Sequence, residues 1–302
     1  MEKKDKFLPH ICMLGACIIW GLMSPLGKDA MNHGITGIDM VSFRTAGAAL
    51  LFWGLSLFTP RERLTLKEIA VFIPAAVFGV LLNQCGFTIG LSITSPGNAS
   101  IATTTMPIFA MILSFLILHE PISLKKAGGV ALGCAGAILL VSMSASAGNE
   151  MVGNIKGDLI VMFAQVSYAF FLSMFNPTVR KYSVVTVNKW MFLFAALMLW
   201  PFTGKSVAAI PWSEVPVSAW LETGFVIVFG TFIAYILLIR AQKSLRPTVV
   251  AVYNYIQPIV SLTVSVATGL GIFNWAQGVA IILIFCGVML VNKSRAKDSV
   301  PR

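Results

Sequence analysis

The chain has 302 residues, 57% of them apolar and only 11% charged, with a net charge of +10 and a mean hydropathy of +0.84. A soluble domain carries about a quarter of its residues as Asp, Glu, Lys or Arg, so a soluble enzyme is excluded; disorder, which needs low hydrophobicity and high charge, goes with it. What remains is a polytopic membrane protein, and at roughly 30 residues per span and loop the length gives about ten spans.

Apolar stretches of spanning length run approximately over residues 8–27, 38–58, 69–91, 98–118, 124–142, 157–177, 186–204, 216–239, 248–268 and 275–292. Each is near the ~20 residues that cross a bilayer as a helix, the form that satisfies its own backbone hydrogen bonds in lipid. The expected fold is therefore all-α with ten transmembrane helices. Lys3, Lys4 and Lys6 precede the first apolar run as in a signal peptide, but no small-residue cleavage pattern follows. The run continues through Pro25 and Gly27 and reads as a first helix that stays.

The first span carries Trp20 and Ser24 on one helical face, and the sixth carries Gln165 and Tyr168 on another. Arg44 is the one ionisable residue well inside a span, the second. It admits two readings: a cation facing a cavity and steering an anion, or a structural arginine that snorkels outward or pairs with Asp39. Asn83 and Gln84 in the third span offer polar lining, against Ala234 and Tyr235 in the eighth. Pro107 and Pro258 each remove a backbone donor and are expected as kinks that free carbonyls. In the ninth span Tyr253, Gln257 and Ser261 recur every four residues, with Asn254 beside them, a polar stripe wasted against lipid. Asn98, directly after Pro96-Gly97, reads as a helix N-cap. Gly129-x-x-x-Gly133 and Gly136 in the fifth span read as close helix packing, within one chain or between two. The five cysteines lie in apolar stretches without a C-x-x-C pair and read as buried small hydrophobes.

The basic residues fix the expected orientation. Eighteen of the 22 Lys and Arg fall at the N-terminus, in alternate loops and in the tail, and only Lys28, Lys156 and Lys205 fall on the other side. By the positive-inside rule both termini are cytoplasmic in a plasma (inner) membrane protein. The basic excess is topology, so a nucleic-acid partner is not expected.

The chain also repeats itself. A shift of 151 residues brings Phe78-Gly79 onto Phe229-Gly230, Pro96 onto Pro247, Pro107 onto Pro258 and Gly136 onto Gly287; a shift of 148 brings Trp20 onto Tyr168. Residues 8–142 and 157–292 are then two five-helix repeats, joined by a linker at 143–156 and followed by a tail at 293–302. Five is odd, so the second repeat must be inverted. The charges agree: residues 91–98 carry no Lys or Arg while 242–249 carry Lys243 and Arg246. Inverted repeats are a recurrent transporter architecture, with the substrate held near the midplane between the halves.

WGLMSP at 20–25, Arg44, residues 90–141 beginning GLSITSPGNAS, and their counterpart at 238–291 beginning LIRAQKSLRP resemble two EamA-type repeats of the drug/metabolite transporter superfamily, over nearly the whole chain. The resemblance implies a ten-helix permease, in many characterised cases an exporter of amino acids or other small metabolites. One departure is visible: Glu120 closes the fourth span, but its counterpart is Gly271.

The expected function is thus a secondary transporter moving a small zwitterionic or anionic metabolite by alternating access, without cofactor or metal, as a monomer or homodimer in the lipid bilayer. Candidate substrate contacts are Trp20, Ser24, Arg44, Asn83, Gln84, Gln165, Tyr168, Tyr253, Asn254 and Gln257. A channel or a non-transporting receptor is the alternative class. An intramembrane enzyme would want paired mid-span aspartates, a Ser/His set or H-E-x-x-H, and a pump would want a phosphate loop; neither pattern is present.

Overall fold

The computed structural model describes residues 3–118, 123–147, 152–244, 253–254 and 256–298. Among them every regular element is a helix. In chain order these are α1 (Lys3–Asn32), α2 (Gly37–Ser56), α3 (Leu66–Ile93), α4 (Pro96–Thr103), α5 (Met106–Leu118), α6 (Leu124–Ala147), α7 (Ile155–Lys181) and α8 (Val184–Ala208). Then follow α9, which runs from Val217 to Ser244, α10 (Ile256–Ala267) and α11 (Trp275–Asp298). Among the described residues six helices are long and apolar enough to cross a membrane: α1, α2, α3, α7, α8 and α9. Shorter apolar helices cover Ala127–Leu140, Ile256–Ala267 and Trp275–Gly287.

The fourth apolar stretch is two helices rather than one. Thr104 and Thr105 form a turn between α4 and α5, and their hydroxyls donate to the carbonyls of Ile101 and Ala102 at 2.6 Å each. The break therefore leaves those carbonyls satisfied inside the bundle. Pro107 is the second residue of α5 and Pro258 the third of α10. A proline in a first turn sacrifices no helical bond, so both start helices instead of kinking continuous ones. The N-cap of α4 is Ser95, whose Oγ accepts from the Asn98 N–H, with Pro96 at the first helical position. Asn98 is thus not the cap; its amide is used elsewhere. Reciprocal Thr-x-x-acid capping boxes start α2 (Thr36, Asp39) and α3 (Thr65, Glu68).

Two helices contain π-helical stretches, Val77–Leu81 in α3 and Val228–Ile233 in α9. They start 151 residues apart. Each presents a carbonyl to a donor on another helix: the Trp20 Nε1–H donates to Gly230 at 3.0 Å, and the Ser167 hydroxyl to Phe78 at 2.8 Å.

Glycines set the closest helix contacts. On α3, a Cβ at Gly86 would meet Ala164, and one at Gly90 would meet Val161 and the Gly157 carbonyl, so α3 and α7 pack antiparallel with backbones touching. The α6–α11 crossing is also antiparallel. Gly136 faces Ile284 and the Ala280 carbonyl, while Gly287 faces the Gly129 carbonyl and Gly133. The fifth-span glycines therefore pack within the chain. Helices α2 and α8 run antiparallel as well, through Asp39–Ser206 at one end and stacked Phe52–Phe192 and edge-on Trp53–Trp190 toward the other. Cys12 and Cys17 are buried as small hydrophobes, whereas Cys286 is exposed on α11, facing outward where a thiol costs little.

Each end of the bundle is tied. At one, Glu68 accepts from Lys181 Nζ and the Tyr182 hydroxyl, both at 2.6 Å, and Glu62 accepts from the Ser183 N–H. At the other, Asp158 is fully buried and accepts from Thr94 (2.6 Å) and from the Asn98 amide (3.2 Å); Gln277 in turn donates to Asn98 Oδ1 at 2.7 Å.

Candidate substrate cavity

Between these two ties lies a cavity of about 120 Å³. At about 30 Å³ for each water in the liquid, that is room for roughly four waters or one small solute. Its wall comes from Trp20 and Met23 of α1, Arg44 of α2, Asn83, Gln84 and Phe87 of α3, and Thr103 and Met106 at the α4–α5 break. Gln165 and Tyr168 of α7, Tyr235 and Leu238 of α9, and Asn254 and Gln257 at the start of α10 complete it.

Arg44 dominates its chemistry. It is 3% exposed, with Nε donating to Thr231 Oγ1 at 3.1 Å and Nη1 to Thr88 Oγ1 at 3.0 Å. Those hydroxyls are neutral acceptors, and a guanidinium has five N–H donors. Neither described ion pair includes Arg44. Asp39 is committed elsewhere, accepting from Thr36 within its capping box and from Ser206 Oγ at 2.7 Å. The structural reading of Arg44 as an Asp39 partner thus gives way to a cation held at the cavity wall. Tyr235, which shares the cavity wall with it, is a phenol and carries no charge at neutral pH.

One turn from Thr88 on α3, Gln84 donates from Nε2 to the Tyr235 hydroxyl at 2.9 Å, while its Oε1 is buried with no hydrogen-bond partner. Gln84 and Tyr235 are 151 residues apart, so positions matched by the repeat touch each other directly. Trp20 meets Tyr235 edge-on with ring centroids 6.3 Å apart. Asn83 Nδ2 donates to the Ala164 carbonyl at 3.0 Å, and Gln257 Nε2 to Asn254 Oδ1 at 3.3 Å. The result is an apolar and aromatic chamber with one cation, one orphaned acceptor and a few orienting amides, the usual composition of a small-molecule site.

Eight of the ten residues singled out from the sequence thus meet on one wall or another. Ser24 is instead buried between α1 and α4, accepting from the Ser100 hydroxyl at 3.0 Å. Tyr253 bonds His10 Nδ1 through its hydroxyl at 3.0 Å, and Ser261 donates to the Pro96 carbonyl. Glu120 lies outside the described residues. The residues that sequence reasoning passed over are Thr88 and Thr231, which hold the guanidinium, and the apolar lining Met23, Phe87, Met106 and Leu238. A threonine inside a span is too common to be a signal, and an apolar wall residue is indistinguishable by type from a lipid-facing one.

A bundle of long apolar helices around a chamber walled by a buried cation, with which no carboxylate pairs among the described residues, defines a multi-pass α-helical membrane protein with an internal cavity. The EamA-like transporter family matches over residues 8–142 and 155–293, and the chain belongs to that family. Relatives include the uncharacterized transporter YyaM of Bacillus subtilis, 22% identical over 94% of this chain and 93% of its own length. The uncharacterized inner membrane transporter YedA of Escherichia coli is 25% identical over 91% and 87%, and YvbV of Bacillus subtilis, also an uncharacterized transporter, is 25% identical over 99% and 96%. A solved structure described only as the crystal structure of a protein superposes with a TM-score of 0.63 at 16% identity, covering 97% of this chain and 99% of that one. It shares the fold. The chain is a membrane transporter by family.

Proposed function

We propose that this protein is a secondary transporter that carries a small carboxylate-bearing metabolite across the plasma membrane by alternating access, with export its direction in the cell. The observation that carries the reading is Arg44: a guanidinium buried at the cavity wall, held only by neutral hydroxyls, beside an acceptor with no donor. A cation left without a carboxylate inside a membrane protein is costly. A ligand anion supplies the missing partner, and Arg donors match a carboxylate bidentately.

Alternating access rests on two five-helix halves, inverted about a pseudo-two-fold axis in the membrane plane, with both termini cytoplasmic. Reciprocal contacts support it. Gly136 packs on Ala280 and Ile284, while its 151-shifted mate Gly287 packs on Gly129 and Gly133, which are the mates of Ala280 and Ile284. Contacts exchanged in this way are the mark of an isologous interface. The antiparallel mates α2 and α8, the coincident π stretches and the Gln84–Tyr235 pair point the same way. Two similar halves can exchange conformations at comparable energy, which a carrier needs.

The test is purified protein in liposomes. Saturable flux of a carboxylate solute, lost in Arg44→Ala at unchanged protein incorporation, is the expected result. Equal flux in that variant removes Arg44 from the site, and ion conductance without saturable solute flux assigns a channel instead.

A further inference from the structure

We infer that the protein is an obligatory exchanger of solutes with net negative charge, because the empty site keeps a bare cation bonded across both halves and only an anionic cargo neutralises it. The inference rests on the transport reading above and adds its kinetic and charge rule.

Three observations carry it. First, the guanidinium of Arg44 bridges the halves: Nη1 bonds Thr88 of α3, in the first half, and Nε bonds Thr231 of α9, in the second. Any movement of one half against the other must break or carry one of these bonds. Second, the groups that bond the charge are two neutral hydroxyls, and among the described residues no carboxylate pairs with it. Asp39, on the same helix, is engaged by Thr36 and Ser206, and Asp158, Glu62 and Glu68 are used in the ties at the two ends. Third, the cation is withdrawn from water, 3% exposed on the wall of a small and mostly apolar chamber, so without an anionic cargo little offsets its charge.

The consequence follows from the cost of a buried, unpaired charge. In the loaded carrier a carboxylate pairs with Arg44, and the site crosses the occluded state neutral if the cargo carries one net negative charge. In the empty carrier the same state holds a desolvated, uncompensated guanidinium. The loaded protein therefore reorients faster than the empty one, and solute inside must be traded for solute outside. A zwitterion pairs with Arg44 but leaves its ammonium uncompensated, so it trades less well than a monoanion.

The experiment uses the full-length protein in liposomes, with radiolabelled D-glycerate and L-glutamate, each of net charge −1, and L-serine as the zwitterion. Uptake is compared with and without unlabelled solute inside. The expected result is at least tenfold faster uptake of the anions into loaded vesicles, unaffected by an imposed membrane potential, with L-serine stimulated less. Arg44→Gln, which removes the charge but keeps hydrogen-bonding capacity, should bring the loaded-to-empty ratio near one, whereas Arg44→Lys should keep it high. Anion uptake that is equally fast into empty and loaded vesicles overturns the inference while leaving the transport reading intact. A high ratio in Arg44→Gln also overturns it. Absence of any carboxylate flux overturns the transport reading and this inference with it. Equal incorporation of each variant, read by size exclusion before reconstitution, keeps a folding defect from imitating a kinetic one.

Discussion

Replacing Gly287 by alanine tests the tightest helix crossing in the bundle. The new Cβ would sit 2.5 Å from the Gly129 carbonyl oxygen, 2.7 Å from the Gly133 nitrogen and 3.1 Å from the Gly133 Cα. All three are backbone atoms, so no side chain can rotate away, and ordinary contact requires α6 and α11 to move apart by roughly 1 Å. A gap of ~0.5–1 Å forfeits about a quarter to a half of each dispersion contact along the seam. Overpacking of this kind costs about 1–3 kcal/mol. Gly54 on α2 is the matched control: nothing lies within 4 Å of its would-be Cβ, so Gly54→Ala should be neutral or stabilise by up to ~1 kcal/mol through helix propensity. Unfolding of the detergent-solubilised variants by SDS titration measures both. If Gly287→Ala falls within ~0.3 kcal/mol of Gly54→Ala, the backbone contact between these helices is wrong, and with it the reciprocal packing.

Four further outcomes are expected. Thr231→Val and Thr88→Val each remove an acceptor from a buried guanidinium and should destabilise by about 1.5–3 kcal/mol in the same titration, with the double variant more than additive because both bonds serve one group. Trp20→Phe keeps the ring but leaves the Gly230 carbonyl without its donor, for a cost of about 1–3 kcal/mol; a thermal midpoint equal to wild type would remove that bond from the account. Glu68→Gln weakens the exposed tie to Lys181 and should lower the unfolding midpoint only slightly, an effect that fades in 1 M salt. For Glu62, slight burial pushes its carboxyl up, but hydrogen bonds from Thr186 and Ser183, helped by Lys189, outweigh it and hold the carboxyl below its ordinary 4.5. A depressed carboxylate contributes stability above the unfolded value that is lost as pH falls, so wild type should lose more stability than Glu62→Gln on acidification below about pH 4.5, the loss that remains in the variant coming from Glu68.

The spans were legible because lipid imposes one solution, a run of apolar residues that closes its own hydrogen bonds; α1, α2, α3, α7, α8 and α9 sit within a few residues of where hydropathy puts them. The break in the fourth stretch was not, because Thr104 and Thr105 look like ordinary helix interior until their hydroxyls are seen to cap Ile101 and Ala102. Asn98 was misread as a cap for a related reason. Ser95, three residues earlier, already starts the helix by accepting the N–H of Asn98 itself, which frees the Asn98 amide to serve Asp158. Arg44 was visible as an oddity of composition, but only the positions of Thr88, Thr231 and Asp39 decide between its two readings. Ser24 and Trp20 share a helical face in sequence terms, yet a face is over 100° wide, enough for one to meet the chamber and the other a neighbouring helix.

The paired π stretches have a consequence for how this chamber can change. An α-helix turns by about 100° per residue, and a π stretch is one residue more than the α ladder needs. Deleting a single residue at Val77–Leu81 would therefore close the stretch into regular α-helix and leave Asn83, Gln84 and Thr88 near their present faces, whereas the same deletion elsewhere in α3 would turn them by about 100°. The chamber wall is thus insulated from a one-residue change at this point, at the cost of the carbonyl that the Phe78 turn offers to Ser167. A lineage could gain or lose one residue here and keep its chamber walls, whereas the same change in the regular helix beyond would rebuild them in one step.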